Sequence, residues 1–306
     1  MENPFRLFPV QYSMRTGLIY PHFEFGSDPI AIRDYAQAAE NIGYAHIGAD
    51  DHIIGPSPSR PGYTGWVTNQ TTIMEPFVLF AFMAAATTRL EFSTCVLLLP
   101  QRQTVLVAKQ TAALDHLCGG RLRLGIGNGW NEFEYTALGE NFHNRGRRIE
   151  EQVALLRQLW TQPLVDFQSR YHTIPALGIN PRSLQQPIPI WFGGQSDPVI
   201  ERMARLGDGW MPLFRSPEEA RPTIDRLTER LAAAGRSLDN FGMEARIPYS
   251  TGPGQSPDPN EWQRLLRGWQ AAGATHASLI TTNCGLNGPS AHLQAMTHFA
   301  QEIGLK

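Results

Sequence analysis

Three short stretches hold the residue types that do chemistry. Asp50-Asp51-His52 follows an apolar run at 44–49, so a strand there delivers two carboxylates and an imidazole to its carboxyl end. A neutral histidine at that point can hydrogen-bond a substrate oxygen or move a proton; a structural histidine with satisfied hydrogen bonds is the plainer reading. Metal ligation by the triplet lacks the distant His/Glu cluster that would complete it. Gly193, Gly194, Gln195 and Ser196 lie where a strand gives way to a helix. Bare amides at a helix N-terminus make an anion site, and an ordinary capped turn is the alternative. Gly125-Ile126-Gly127-Asn128-Gly129-Trp130 leaves backbone with little side-chain cover past another strand, open to something flat or phosphorylated. Its GxGxG spacing, followed by Trp and with no acidic residue ending a next strand, argues against a dinucleotide loop. Glycines that merely turn the chain are the alternative there.

Around these stretches stand candidate binding residues. Asn128, Trp130 and Asn131 follow the strand at 122–126 and should border a ligand. Trp66, Tyr63 and Tyr249 lie in loops and could form an apolar substrate wall, or only pack locally. Arg15 could grip an anionic group, or could sit in a surface salt bridge.

The elements that must position these residues follow a repeating pattern. Residues 90–126 read as strand, helix (105–117), a Gly119-Gly120 stop and a second strand (122–126), a β-α-β unit with parallel strands. Further strands are expected at 10–14, 44–49, 188–192, 209–213, 241–247 and 276–281. Helices are expected at 28–42, 74–87, 145–160, 198–206, 217–234, 259–272 and 289–302. Asp28 caps the first helix, with Pro29 at its first position and Gly43 at its end. Eight strands, each followed by a helix, are the pattern of a single (β/α)8 TIM barrel over 1–306, with its site at the carboxyl ends of the strands. The irregular segments 17–26, 53–73, 131–142, 161–187 and 248–259 are then insertions on that face. Loops of such length in a compact domain are usually functional or mobile.

The chain has 306 residues, 42% hydrophobic and 18% charged, which means a large core and little disorder. A net charge of −2 argues against nucleic acid or an anionic membrane as the main partner. Three widely spaced cysteines, Cys95, Cys118 and Cys284, indicate neither a disulfide framework nor a zinc site. The first thirty residues carry no apolar run of signal-peptide or membrane-span type, so the cytoplasm is the expected compartment.

Several blocks in combination resemble the bacterial luciferase-like flavin or deazaflavin oxidoreductases. They are Ala108-Lys109-Gln110 through Leu114-Asp115 to Gly119-Gly120-Arg121 and Gly125-Ile126-Gly127, then Arg145-Gly146-Arg147-Arg148, Pro189-Ile190-Trp191-Phe192-Gly193-Gly194 and Arg205-Leu206-Gly207-Asp208-Gly209-Trp210. The likeness covers roughly residues 28–215. It leans toward the branch that uses the deazaflavin coenzyme F420, a hydride carrier, with the branch that uses reduced FMN and oxygen close behind. The resemblance implies a non-prolyl cis peptide at Cys95-Val96, a bulge that supports the ring; read alone, Cys95 is an inert core cysteine. It also implies Asp51 near the cofactor ring with His52 assisting proton transfer. The cofactor phosphate falls at Gly193, Gly194, Gln195 and Ser196, with Gly209 packed beside it.

Three functions follow from this. The first is hydride transfer between F420 or a flavin such as FMN and a small organic substrate. The second is a two-component monooxygenase in which FMNH2 from a separate flavin reductase and oxygen act on an aldehyde-like or heteroatom substrate. The third is a non-catalytic cofactor-binding protein, which would hold reduced cofactor without consuming it. A homodimer is expected from the apolar surface of the helices.

Overall fold

The computed structural model describes residues 14–305. The chain opens with β1 (Arg15–Ile19), α1 (His22–Phe25), α2 (Pro29–Ile42), β2 (His46–Ala49) and α3 (Pro76–Ala84). The central unit is β3 (Glu91–Thr94), β4 (Leu97–Leu98), α4 (Thr104–Leu117) and β5 (Leu122–Gly127). Next come α5 (Glu132–Ala137), α6 (Arg145–Thr161), a hairpin of β6 (Val165–Gln168) and β7 (Thr173–Leu177), and β8 (Ile190–Gly193). The remainder is α7 (Asp197–Leu206), β9 (Gly209–Met211), α8 (Pro217–Ala233), β10 (Gly242–Pro248), α9 (Pro259–Ala271), β11 (His276–Ile280) and α10 (Gly288–Ile303).

The barrel is closed and parallel. Its strands run β3-β2-β1-β11-β10-β9-β8-β5, and β3 pairs again with β5 through Phe92 and Leu122. Further along, Leu97 of β4 pairs with Ile126 of the same β5. Thus β3 and β4 are one barrel strand interrupted at Cys95-Val96, whose peptide bond is cis as the resemblance implied. Helices cover the outside, so the strands are buried on both faces; every residue of β5 is buried. α2 shows how the sequence builds this layer. Ile32, Tyr35, Ala36 and Ala39 recur on one buried face, Asp28 accepts from the Ile30 amide, and Gly43 closes the helix at φ 106°.

Inside the barrel the side chains form two tiers beneath the mouth. The lower tier is polar: His46 Nε2 meets Glu244 Oε1 at 3.1 Å and Ser278 Oγ at 2.8 Å, and Arg123 pairs with Glu244 and donates to Ser93 Oγ. Gly17 makes room for it, because a Cβ there would lie 2.3 Å from the His46 ring. Above it, Ile19, Cys95, Trp191 and Met211 form an apolar tier. A Cβ on Gly48 would lie 2.8 Å from Cys95 Sγ, so Gly48 admits that layer. The mouth cavity opens above Cys95.

Four expectations change. The first barrel strand is Arg15–Ile19 rather than 10–14; residues 10–13 lie outside the described residues, and Met14 precedes the strand. The segment 131–142 is no plain loop, since it holds α5. The excursion at 161–187 carries the β6-β7 hairpin. Arg15, expected on the site face, is instead the first residue of β1, at the opposite end of the barrel, and pairs with Glu91 at 2.8 Å. Among the described residues no helix is long and apolar enough to cross a membrane.

Candidate active site

A cavity of about 430 Å³ lies at the carboxyl ends of the barrel strands. It is lined by Asp50, Asp51 and His52 after β2, by Val96 and Leu98 around β4, and by Asn128 and Trp130 after β5. Gly193 and Gly194 of the β8-α7 turn, Met211 of β9 and Arg246 of β10 complete most of the wall. Parallel strands ending at one face bring segments nearly 200 residues apart to one mouth.

The bulge at Cys95-Val96 is accommodated by glycines. A Cβ on Gly127 would lie 2.5 Å from Val96 Cγ2, and one on Gly193 would lie 2.8 Å from Val96 Cγ1. Val96 is therefore seated between two strands whose residues must lack side chains. Arg246 Nη2 donates to the Cys95 carbonyl at 2.7 Å and secures the bulge from across the barrel. The Cys95 thiol is buried, and burial holds its pKa well above the ordinary range, so it is no nucleophile.

His52 is held by a residue distant in sequence. Its Nδ1 lies 3.0 Å from Glu134 Oε1, and the Glu134 carboxylate is fully buried and also accepts from Gln101 Nε2 and the Ile53 amide. A carboxylate at Nδ1 assigns the hydrogen to that nitrogen and leaves Nε2 as the acceptor. The imidazole stands edge-on to Trp66 at 5.3 Å and Trp130 at 5.9 Å, and both indoles line the cavity. Trp130 is fixed in turn: it stacks with Tyr63, and a Cβ on Gly65 would lie 2.2 Å from its ring. Phe23 supports Trp66.

The adjacent carboxylates have opposite surroundings. Asp51 is buried with both oxygens engaged, accepting from the Leu98 amide at 2.9 Å and from Arg102 Nη2 at 2.8 Å. Arg102 is shared with Glu75 at 2.9 Å. Burial lifts the Asp51 carboxyl above its ordinary pKa while Arg102 opposes the shift. Asp51 thus ties the end of β2 to the β4 segment, and its carboxylate is spent on protein partners. Among the described residues, Asp50 has one ion-pair partner, Arg246 at 3.8 Å.

Of the residues singled out from sequence, His52, Asp51, Cys95, Val96, Asn128, Trp66, Trp130, Gly193 and Gly194 come together in the cavity wall. Others stand elsewhere. Gln195 and Ser196 are exposed beyond the wall, at the start of α7. Gly209 lies within the barrel, where a Cβ would be 2.4 Å from Trp191, so its lack of a side chain serves packing. Asn131 is buried and caps α5 by accepting from the Phe133 amide. Tyr249 belongs to a second cavity, stacked on Trp262 with its hydroxyl at His298. Glu134, Arg102 and Arg246 were not singled out from sequence and are brought in by the fold alone, whereas Asp50 was placed at the strand end with Asp51 and His52.

A family model described as luciferase-like monooxygenase matches residues 14–292. An uncharacterized protein of Mycobacterium tuberculosis is 35% identical over 254 residues, 72% of this chain and 87% of that protein. The F420-dependent hydroxymycolic acid dehydrogenase of the same species is 28% identical, over 78% of this chain and 63% of that one. An FMNH2-dependent dimethylsulfone monooxygenase of Pseudomonas putida is 30% identical, over 70% of this chain and 57% of that one. Among solved structures, an F420-dependent secondary alcohol dehydrogenase superposes with a TM-score of 0.77 at 18% identity, covering 95% of this chain and 99% of that one, which shows a common fold.

Proposed function

The chain belongs to the luciferase-like monooxygenase family, and we propose that within it this protein moves a hydride between a deazaflavin (F420) or flavin ring and a small organic substrate. The observation that carries this reading is the His52–Glu134 pair, Nδ1 to Oε1 at 3.0 Å, on the wall of an apolar cavity. The residues present fit a flat tricyclic group. Gly127, Gly129, Gly193 and Gly194 leave backbone bare on one side, and Val96 projects between two of them. Gly194, at φ 104°, keeps the β8-α7 turn open beside the N-terminus of α7, a suitable place for a phosphate.

A bound deazaflavin supplies two-electron hydride chemistry, whereas reduced FMN can also activate oxygen. The protein's own part is proton handling and positioning. With Nδ1 donating to Glu134, His52 Nε2 accepts the hydroxyl proton of an alcohol as its carbinol hydrogen leaves as hydride, giving the carbonyl compound; the reverse reduction returns that proton. Buried Glu134 stabilises the imidazolium formed meanwhile. Trp66 and Trp130 flank the imidazole, whose side chain is 8% exposed.

A second reading, oxygen-dependent action on a substrate with FMNH2 from a separate reductase, draws support from the 30% identity to the Pseudomonas putida monooxygenase. Equilibrium titration of oxidised FMN and of F420 into the purified protein separates the two. Tight F420 binding with weak FMN binding supports hydride transfer, and preference for FMN with oxygen consumption supports the second reading. Replacing His52 by Ala should leave cofactor affinity within a few-fold and lower turnover by roughly 10²-fold or more. Unchanged turnover would remove His52 from the reaction.

A further inference from the structure

The mouth cavity has carbon walls and an Asp50–Arg246 pair at 3.8 Å in which each charge offsets the other. Trp66, Trp130, Leu98, Val199 and Leu213 supply apolar lining. Among the described residues that line it, Arg246 is the sole Lys or Arg, and its charge is already met on two sides. Its Nη2 donates to the Cys95 carbonyl at 2.7 Å and lies 3.8 Å from Asp50 Oδ1. Asp50 differs from its neighbour Asp51, whose oxygens are both satisfied: no described residue donates a hydrogen bond to the Asp50 carboxylate, which faces the cavity half-buried.

We propose that Asp50 is a specificity-determining residue that closes this cavity to anionic substrates and selects uncharged, largely apolar alcohols or their carbonyl counterparts. The reacting group named here rests on the hydride-transfer reading, while the charge selection rests on the cavity alone. A substrate carboxylate entering beside this pair would lose its water, find the Arg246 charge already offset and stand near Asp50. Like charges brought together without water are strongly disfavoured, and this is a common means of excluding a wrong ligand. An uncharged hydroxyl has no such penalty, and a carbon skeleton gains from the apolar walls. Burial and the neighbouring Asp51 raise the pKa of Asp50, while Arg246 and His52 pull it back down.

The test uses benzyl alcohol and 4-(hydroxymethyl)benzoate, which share a ring and a reacting group and differ by one charge. Each is titrated by calorimetry into the full-length protein, alone and saturated with cofactor. The wild type should bind the alcohol at least about tenfold more tightly than the benzoate. Asp50→Asn should narrow or invert that ratio, because Arg246 then presents an unmatched charge, and Asp50→Ser should do the same. Arg246→Met should leave the ratio unchanged or larger. Equal binding of the two probes by the wild type, a ratio unmoved by Asp50→Asn, or no binding of either probe would overturn the proposal. The wild-type ratio is readable even if a variant fails to fold. Should the ratio behave as expected while neither FMN nor F420 binds, the hydride-transfer reading falls and the charge filter stands. Should hydride transfer be measured with a ratio near one, only the filter falls.

Discussion

Glu134 Oε1 lies 3.0 Å from His52 Nδ1, across 82 residues of sequence. α5 exists to hold this carboxylate in place: Asn131 caps it, and Tyr135, next in the helix, donates to the Asn128 carbonyl beside the cavity. Glu134→Gln keeps the shape but removes the charge that orients and stabilises the imidazole. Turnover should fall by about 10²-fold with cofactor affinity nearly unchanged, and the pH dependence of kcat/KM should shift. Steady-state kinetics across pH checks this, and an unmoved profile would mean that Glu134 is only structural.

Arg102 holds Asp51 at 2.8 Å and Glu75 at 2.9 Å. Arg102→Met strands a buried carboxylate, and removing one partner of a buried pair costs about 3–5 kcal/mol. The pH sign follows from the direction of the shift. Burial already raises Asp51 in the folded protein, and loss of Arg102 raises it further. The folded variant then binds a proton that the unfolded chain does not, so its deficit is largest at neutral pH and shrinks on mild acidification. Urea unfolding of both proteins across that range measures it; a deficit independent of pH would mean that Asp51 does not carry the effect.

Gly127 leaves space for Val96: a Cβ at this position would lie 2.5 Å from Val96 Cγ2. Gly127→Ala should push Val96 toward the mouth at a cost of roughly 1–3 kcal/mol. Cofactor binding should weaken together with stability. Gly139, whose φ of 72° strains an alanine but which does not line the cavity, gives the control: Gly139→Ala should lower stability and leave cofactor binding alone.

Histidines lowered by burial contribute to the acid limit, among them His22, His292 and His276, the last pushed down to about 2 mainly by burial. Burial pushes His22 and His292 down to about 4, so both are neutral when folded. The unfolded chain protonates them near the ordinary ~6.5 and therefore binds more protons below that point. Their contribution is complete above ~6.5, is lost progressively toward about 4, and changes little below. Chemical denaturation at about pH 7 and about pH 5 should show this loss, and a His22→Gln/His292→Gln double variant should make it shallower, leaving the part that His276 carries. An equally steep loss in that variant would move the effect to other groups.

Much of the frame was legible locally. Caps such as Asp28 and stops such as Gly43 act through their own neighbours, and a parallel barrel strand announces itself as an unbroken apolar run, as in β8. The first strand was missed by about five residues because β1 carries Arg15 and Gly17, neither of which favours a strand; Gly17 is there for His46, a partner on the next strand. Local reading also placed Tyr249 and Asn131 on the right face but could not tell lining from packing.

By itself the sequence determined the alternation of strands and helices, the family blocks, and the arrival of Asp50-Asp51-His52 and the glycine turns at strand ends. These depend on periodicity and on backbone freedom, which are properties of short segments. Only the tertiary structure decided what each side chain does there. Successive residues leaving a strand point different ways, so Asp51 turns to Arg102 while Asp50 faces the cavity beside Arg246. His52 gains Glu134 only because two distant segments end at one barrel mouth. Hydrogen bonds and charges act over a few ångströms of space, and separation along the chain carries no information about them.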